Sequence, residues 1–141
     1  MSGFLKQYSD RAATKEAVRR SSALRTADVS TPAILASGEK TITFQKVDGQ
    51  SGDLLDLEDL STLLSEVARL HQAPVKNLLR YDPFLRVRTR LSVPTALPVS
   101  DILSEPVPDG TATLHGDLHV GQFIRGDDQK IWIVDLDDLA I

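Results

Sequence analysis

The sequence predicts an α+β fold in which short antiparallel strands combine with helices. Two regions show the alternating apolar and polar pattern of paired strands, residues 33–47 and residues 122–134. Between them, residues 56–72 place leucine and valine side chains at the spacing of an amphipathic helix. Strand pairs at both ends and a helix between them indicate a mixed fold with antiparallel sheets.

The first third of the chain predicts a strand, a helix and a hairpin. Residues 3–8 have the composition of a short strand, and Asp10 can cap a helix over residues 11–24. Residues 33–36 and 41–47 then predict a hairpin around a glycine-containing turn.

The middle of the chain predicts a link and a long helix. Residues 48–52 contain two glycines among polar residues, which is typical of a flexible connection. The helix over residues 56–72 takes Asp56 as its N-cap, and Pro74 ends it. His71 lies on its apolar face, where a histidine is usually a core residue with satisfied hydrogen bonds.

The next segment gives weaker signals. Residues 75–91 mix apolar residues with four arginines, and such a basic run usually forms a solvated face. Residues 92–98 contain two prolines and predict a loop, whereas residues 99–105 predict one or two helical turns.

Composition excludes several classes of function. The chain has 16 Lys and Arg against 20 Asp and Glu, so nothing indicates a surface for nucleic acid or anionic membranes. It contains no cysteine, which excludes disulfides, thiolate metal sites and cysteine nucleophiles. No apolar run approaches the roughly 20 residues that a membrane span needs. We therefore expect a soluble, cytoplasmic protein.

Residues 114–138 carry the chemistry of the chain. Enzymes that transfer a phosphoryl group act mainly by positioning the accepting hydroxyl and by neutralising the negative charge of the phosphate, and little covalent catalysis is needed. Asp117 can accept the hydroxyl proton, while the oxygens of Gln122 and Asp135 are ligands that Mg²⁺ prefers. His115 is expected to hold this loop by a hydrogen bond to a neighbouring group. Residues 126–129 form a polar turn without a predicted role.

Two segments carry a specific resemblance. Residues 115–122 read His-Gly-Asp-Leu-His-Val-Gly-Gln, and residues 133–137 read Ile-Val-Asp-Leu-Asp. They resemble the catalytic and metal-binding loops of the aminoglycoside phosphotransferase and choline kinase-like family, which shares the protein kinase fold. The resemblance implies that Asp117 is the catalytic base and that Asp135 binds Mg²⁺. Gln122 stands where the family has asparagine, so it keeps the carbonyl on a longer arm.

The same resemblance implies a site for ATP. In the kinase fold a strand lysine holds the nucleotide phosphates and a helix glutamate orients that lysine. Lys6 and Glu16 occupy those places in this sequence. The hinge whose backbone binds adenine falls, by position, near residues 45–49.

The resemblance also implies how the chain is divided. Residues 1–48 correspond to a partial small lobe of antiparallel strands and one helix. Residues 49–141 correspond to the start of a mainly helical large lobe with a catalytic β-hairpin. The glycine-rich loop over the ATP phosphates and the later helices of the acceptor pocket have no counterpart, so we expect a phosphotransferase truncated at both ends.

The sequence favours an ATP- and Mg²⁺-dependent phosphotransferase acting on a small-molecule hydroxyl compound, or a fragment of one. Whether the chain is catalytically active stays open, because the glycine-rich loop and the later helices have no counterpart. One alternative is an inactive kinase-like remnant that binds nucleotide or protein, and apolar faces left uncovered would favour self-association. Another is a metal-dependent hydrolase that uses His115, Asp117 and His119. Asp137 and Asp138 are interpreted as helix-start or surface carboxylates.

Overall fold

A computed structural model describes residues 2–79 and 110–141, without the side chain of Leu54. The predictions of a loop over residues 92–98 and of helical turns over residues 99–105 lie outside the described residues, as does most of the basic run.

The first sheet consists of three antiparallel strands. They are β1 (Gly3–Gln7), β2 (Ile34–Ser37) and β3 (Thr41–Gln45), in the spatial order β1-β3-β2. Lys6 on β1 lies opposite Ile42 on β3, whose side chain is fully buried. The predicted first strand and the predicted hairpin are both confirmed.

Helix α1 (Arg11–Thr26) follows β1 directly. Asp10 caps it, because its carboxylate accepts a hydrogen bond of 2.9 Å from the backbone nitrogen of Ala13. The predicted start is confirmed, and the helix continues two residues beyond the predicted end. Leu24 near that end is fully buried and anchors the helix in the core.

The second sheet contains a strand that the sequence did not predict. It is formed by β4 (Gly49–Ser51), β5 (Phe123–Gly126) and β6 (Ile131–Ile133), antiparallel and in that spatial order. The hairpin predicted over residues 122–134 is confirmed. The flexible link predicted over residues 48–52 is wrong: a side chain at the position of Gly49 would overlap the backbone carbonyl of the neighbouring strand, so this glycine permits close pairing.

Helix α2 (Leu60–Gln72) begins four residues later than predicted. The carboxylate of Asp56 accepts hydrogen bonds from the backbone nitrogens of Glu58 and Asp59, at 3.0 and 3.2 Å, and so closes a turn ahead of the helix. Asp59 takes the N-cap position instead. The predicted end of the helix before Pro74 is confirmed.

Two side chains of α2 differ from expectation. His71 is exposed, so its interpretation as a core residue is wrong. Glu66 is buried instead, at 4% exposure, where it pairs with Arg69 and accepts a 3.1 Å hydrogen bond from the backbone nitrogen of Ser30. These two partners compensate the burial of its charge and tie α2 to the segment after α1.

The core lies between the end of α1, helix α2 and the hairpin of the second sheet. Its buried members are Leu24, Val29, Leu70, Ala73, Val75, Leu78, Phe123, Ile131, Ile133 and Leu139. Leu57, ahead of α2, and Leu60 and Leu64 on α2 are exposed. Self-association through such faces stays a prediction. Among the helices of the described residues, none combines the length and apolar character that crossing a membrane requires.

Candidate functional site

A cleft of about 530 Å³ lies between the two sheets. One wall is a face of β1, because side chains two residues apart on a strand point to the same side. The opposite wall comes from the segment that follows β6, and α1 closes the inner side. The lining residues are Phe4, Lys6, Tyr8, Ala17, Ser21, Thr31, Pro32, Phe44, Gln45, Lys46, Val47, Ile124, Val134, Asp135, Leu136 and Asp137.

The cleft has an aromatic end and a charged end. Phe4 and Phe44 lie side by side on the paired strands β1 and β3, and Gln45, Lys46 and Val47 continue the cleft lining beyond them. Lys6 lies two residues further along β1, toward the charged end. The site therefore offers stacking surfaces at one end and a cation at the other.

An ion cluster forms the charged end. The Nζ atom of Lys6 lies 2.5 Å from Asp135 Oδ1 and 2.7 Å from Asp137 Oδ2. The hydroxyl of Tyr8 donates a 3.3 Å hydrogen bond to Asp137. Arg20 donates a 2.9 Å hydrogen bond to the backbone carbonyl of Asp137, which fixes this turn to α1.

The cluster perturbs the ionisation of its members. The hydrogen bond from Lys6 lowers the pKa of Asp135 below 3.8. Burial disfavours the charged form of Lys6, but the hydrogen bonds to Asp135 and Asp137 outweigh it and raise its pKa above 10.5. Burial and then the charge of Asp137 raise the pKa of Tyr8 to about 12. At neutral pH Lys6 is therefore a cation beside the carboxylate of Asp135, and Tyr8 is a neutral phenol that donates to Asp137.

The lowered pKa of Asp135 predicts an acid-sensitive contribution to stability. A depressed carboxyl pKa stabilises the folded state above the unfolded value near 3.8 and loses that contribution as pH falls through the folded value. We expect Asp135→Asn to be less stable than the native protein at pH 6, by at most about 1 kcal/mol since the pair is partly exposed. Thermal unfolding between pH 6 and pH 2 should show this difference shrinking below pH 4; a constant difference would contradict it.

Asp135 has an unusual backbone conformation. Its φ and ψ are 57° and 61°, in the left-handed region that non-glycine residues rarely adopt. Such strain persists where the surrounding structure holds it, and it is frequent at functional sites. A single 3₁₀ turn, Leu136–Asp138, follows and directs Asp137 back toward Lys6.

The loop over residues 115–122 is anchored to the segment around Asp135. Leu114 and Ala140 exchange backbone hydrogen bonds of 2.8 and 3.0 Å. His115 is 2% exposed and contacts the backbone carbonyl of Val134 through Nε2, at 2.8 Å. The backbone nitrogen of Val134 also donates to the carbonyl of Gln122 at 2.9 Å. His115 therefore makes the kind of loop-holding hydrogen bond that the sequence predicted.

The structure brings some of the predicted site residues together. Gln122 is 8% exposed, and its amide nitrogen lies 3.5 Å from Asp135 Oδ2, so the two predicted metal ligands are neighbours. Lys6 joins them through Asp135. Asp117 is half-buried in the anchored loop but is not among the residues that line the cleft. A cavity shared by Asp117 and Asp135 stays a prediction.

The predicted pair of Lys6 and Glu16 is not formed among the described residues. Glu16 binds the guanidinium groups of Arg19 and Arg20 instead, at 2.6 and 2.9 Å. The hydrogen bond from Arg19 lowers the pKa of Glu16 to about 2. Because arginines three and four residues ahead share its face of α1, local pairing prevails over contact with β1.

The three side chains of the hydrolase alternative do not form a metal centre. Within residues 2–79 and 110–141, no group of three or more histidine and carboxylate side chains is placed to hold an ion. His115 is buried against Val134, while His119 is exposed and contacts the amides of Gly121 and Gln122. The structure therefore contradicts this alternative.

Two members of the ion cluster were missed by sequence reasoning. Asp137 lies within the 3₁₀ turn Leu136–Asp138, where it also binds Lys6 and Tyr8. The signal for Tyr8 was its position two residues after Lys6 on the same strand face.

Comparisons with known proteins concern the fold. No protein-family model and no curated protein sequence matches the chain. Among solved structures it is similar to apoenzyme macrolide 2′-phosphotransferase MphH from Brachybacterium faecium, with 19% identity, a TM-score of 0.62 and 96% of this chain covered. It is also similar to an AMP-bound complex of spectinomycin phosphotransferase APH(9)-Ia, with 15% identity, a TM-score of 0.63 and 98% of this chain covered.

The chain spans 58% and 59% of the lengths of these two structures. At such identities the similarity concerns architecture, and it agrees with the antiparallel sheets and two helices described above. The predicted resemblance is confirmed at that level: this chain has the kinase-like fold of the aminoglycoside phosphotransferase-like proteins.

Proposed function

We propose that this chain is the nucleotide-binding and catalytic part of an ATP-dependent phosphotransferase that acts on a small-molecule hydroxyl compound. The observation that carries the proposal is the cleft, in which one lysine bound to two carboxylates lies beyond a pair of aromatic side chains. A nucleotide has the complementary shape, with a flat base at one end and a chain of negative charges at the other.

The aromatic end suits a base. Phe4 is 60% exposed although it lines the cleft, so its ring offers a free face for stacking. Residues 45–47, beginning with the last residue of β3, line the same end. One of the similar structures is described as an AMP-bound complex, and nucleotide binding by that protein supports this assignment.

The contacts of Gln122 support a cation site at the charged end. The Nδ1 atom of His119 accepts a hydrogen bond from the backbone nitrogen of Gly121, so a neutral ring carries its proton on Nε2. That proton points at the side-chain amide nitrogen of Gln122, which lies 3.1 Å from His119 Nε2. Both groups are donors, so the amide oxygen would be the better partner at this place. If the side-chain amide of Gln122 is turned by 180°, its oxygen accepts the proton of His119 and lies beside the carboxylate of Asp135. A bound cation stabilises two oxygens that are placed together in this way.

We therefore assign Asp135 and Gln122 as the residues that would hold Mg²⁺. The bound ion would neutralise phosphate charge during transfer. Lys6, released from part of its pairing with the carboxylates, would bind phosphate oxygens. Asp117 would accept the proton of the acceptor hydroxyl as its oxygen bonds to phosphorus and the bond to the leaving nucleotide oxygen breaks.

A second function, nucleotide binding without turnover, is favoured by two observations. Glu16 is held by Arg19 and Arg20 and does not orient Lys6. In addition, Asp117 does not line the cleft. A chain of this kind would bind Mg·ATP through the cleft and release it unchanged.

Binding of Mg·ATP tests both functions. We expect Lys6→Met to weaken it about 10- to 100-fold, because charge-assisted hydrogen bonds to phosphate are lost. Titration calorimetry on native and variant protein measures the change. Lys15→Met is the control, since Lys15 is exposed on α1 and does not line the cleft. Equal affinity of Lys6→Met and native protein, or no binding by native protein, would reject the assignment.

A further inference from the structure

A partly buried arginine joins α1 to the turn that carries Asp137. The side chain of Arg20 is 14% exposed, and its Nη1 atom donates the 2.9 Å hydrogen bond to the backbone carbonyl of Asp137. Its Nε atom donates a second hydrogen bond, also of 2.9 Å, to the carboxylate of Glu16 on the same helix. The planar guanidinium group therefore bridges a carboxylate of α1 and the backbone of the 3₁₀ turn.

Glu16 does not need Arg20 for its neutralisation. Arg19 already donates two hydrogen bonds to that carboxylate, at 2.9 and 2.6 Å, and its side chain is more exposed, at 34%. A partly buried ion pair adds little net stability, because the loss of hydration offsets the attraction. The second arginine on one glutamate is therefore better explained by its other partner, the turn at Asp137.

The geometry of this turn shows why an anchor matters. The turn follows Asp135, whose left-handed backbone conformation costs free energy and persists where surrounding contacts hold it. The segment before Asp135 is anchored by the loop over residues 115–122, and Arg20 anchors the segment after it. A shift of the turn would carry the carboxylate of Asp137 away from the Nζ atom of Lys6, which it approaches to 2.7 Å.

From these contacts we propose that Arg20 is a positioning residue of the charged end, which holds the turn so that Asp137 keeps Lys6 in place. When Asp135 binds a metal ion, Lys6 retains the carboxylate of Asp137 as its partner, and its ammonium group stays directed into the cleft. Arg20 itself does not line the cleft, so it acts through the turn. The effect on nucleotide binding rests on the proposed function, whereas the effect on the ion cluster does not.

Three ligands separate positioning of Lys6 from general damage to the cleft. Arg20→Met keeps the apolar stem of the side chain and removes both hydrogen bonds. We expect it to weaken binding of Mg·ATP and of Mg·tripolyphosphate about tenfold, because a displaced Lys6 contacts the phosphates less well. Binding of adenosine, which has no phosphate, should be unchanged. Titration calorimetry measures the three affinities.

Arg19→Met is the matched control. Arg19 is the neighbouring residue on α1, and it shares the partner Glu16 with Arg20. Within the described parts of the chain, its two side-chain hydrogen bonds both go to Glu16, so it does not hold the turn. The variant removes the same charge and should bind all three ligands as the native protein does.

A double variant tests whether Arg20 acts through Lys6. Two substitutions that affect one interaction do not add their effects, whereas independent substitutions do. Once Lys6→Met has removed the ammonium group, Arg20→Met should weaken Mg·ATP binding by less than about twofold more. A direct attraction between the charge of Arg20 and the phosphates would instead cost the same factor in both backgrounds.

The ligand-free protein gives an independent measurement of the same coupling. Lys6→Met and Arg20→Met both loosen the ion cluster, so the second substitution removes less when the first is already present. We expect the double variant to melt about 2 °C or more above the temperature that the two separate losses would predict. Thermal unfolding of the native protein, both single variants and the double variant measures this difference.

Each outcome decides the matter. Native Mg·ATP affinity of Arg20→Met overturns its positioning role and leaves the proposed function standing. An equal loss for adenosine shows damage to the whole cleft and also overturns that role. A full tenfold further loss in the Lys6→Met background, or additive melting temperatures, shows that Arg20 does not act through Lys6 and overturns the proposal. If native protein binds none of the ligands while the melting temperatures are non-additive, the proposed function fails and the positioning of the ion cluster by Arg20 stands.

Discussion

Asp117→Asn should lower turnover of ATP by about a thousandfold while leaving ATP affinity nearly unchanged, since general-base catalysis contributes about 10²–10⁴. The amide keeps the size of the carboxylate and one accepting oxygen but cannot take a proton. The affinity should hold because Asp117 does not line the cleft. Steady-state assays of ADP release, with calorimetry of Mg·ATP binding, measure both quantities on one preparation.

Asp127→Asn is the control for this prediction. Asp127 is an exposed carboxylate in the turn between β5 and β6, and its substitution removes the same charge without touching the anchored loop. Native turnover in Asp117→Asn would refute the assignment of the base. A native protein that binds Mg·ATP without releasing ADP would instead support the binding function, in which Asp117 has no catalytic task.

The sequence predicted those elements whose signals are local. Asp10 and the residue it caps lie three positions apart, so the start of α1 can be derived from capping chemistry alone. The hairpin of β5 and β6 was predicted for the same reason, since its partners are joined by a short polar turn. Helix α2 was predicted in type but not in its start, because the side chain of Asp56 closes a turn ahead of the helix instead of capping it.

Long-range pairing explains what the sequence did not predict. The partner of β4 is β5, and Gly49 pairs with Gly126 across most of the chain. In a single sequence, a glycine that permits close pairing of strands cannot be distinguished from a glycine that makes a loop flexible. Likewise, nothing near Lys6 indicates that it binds Asp137. The pairing of Glu16 did have a local signal, since arginines follow it at helical spacing.

Gly116→Ala should destabilise the protein by about 2–4 kcal/mol, because two costs combine at this position. The φ angle of Gly116 is 84°, which an alanine adopts only with strain, and a methyl group there would overlap the backbone carbonyl of Asp138. That carbonyl cannot move freely, since Leu114 and Ala140 join the two segments by paired hydrogen bonds. Urea denaturation measures the free energy of unfolding.

Gly110→Ala provides the comparison for this substitution. Among the described residues, a methyl group at Gly110 would meet the carbonyl carbon of Ile141 alone, at an ordinary 3.6 Å, so the stability of this variant should stay within about 1 kcal/mol of that of the native protein. If Gly116→Ala proved as stable as Gly110→Ala, the close contact between the loop at residues 115–122 and the turn after Asp135 would be refuted. That contact joins the residue before the candidate base to the turn after Asp135, so the catalytic assignment of Asp117 would lose its structural basis as well.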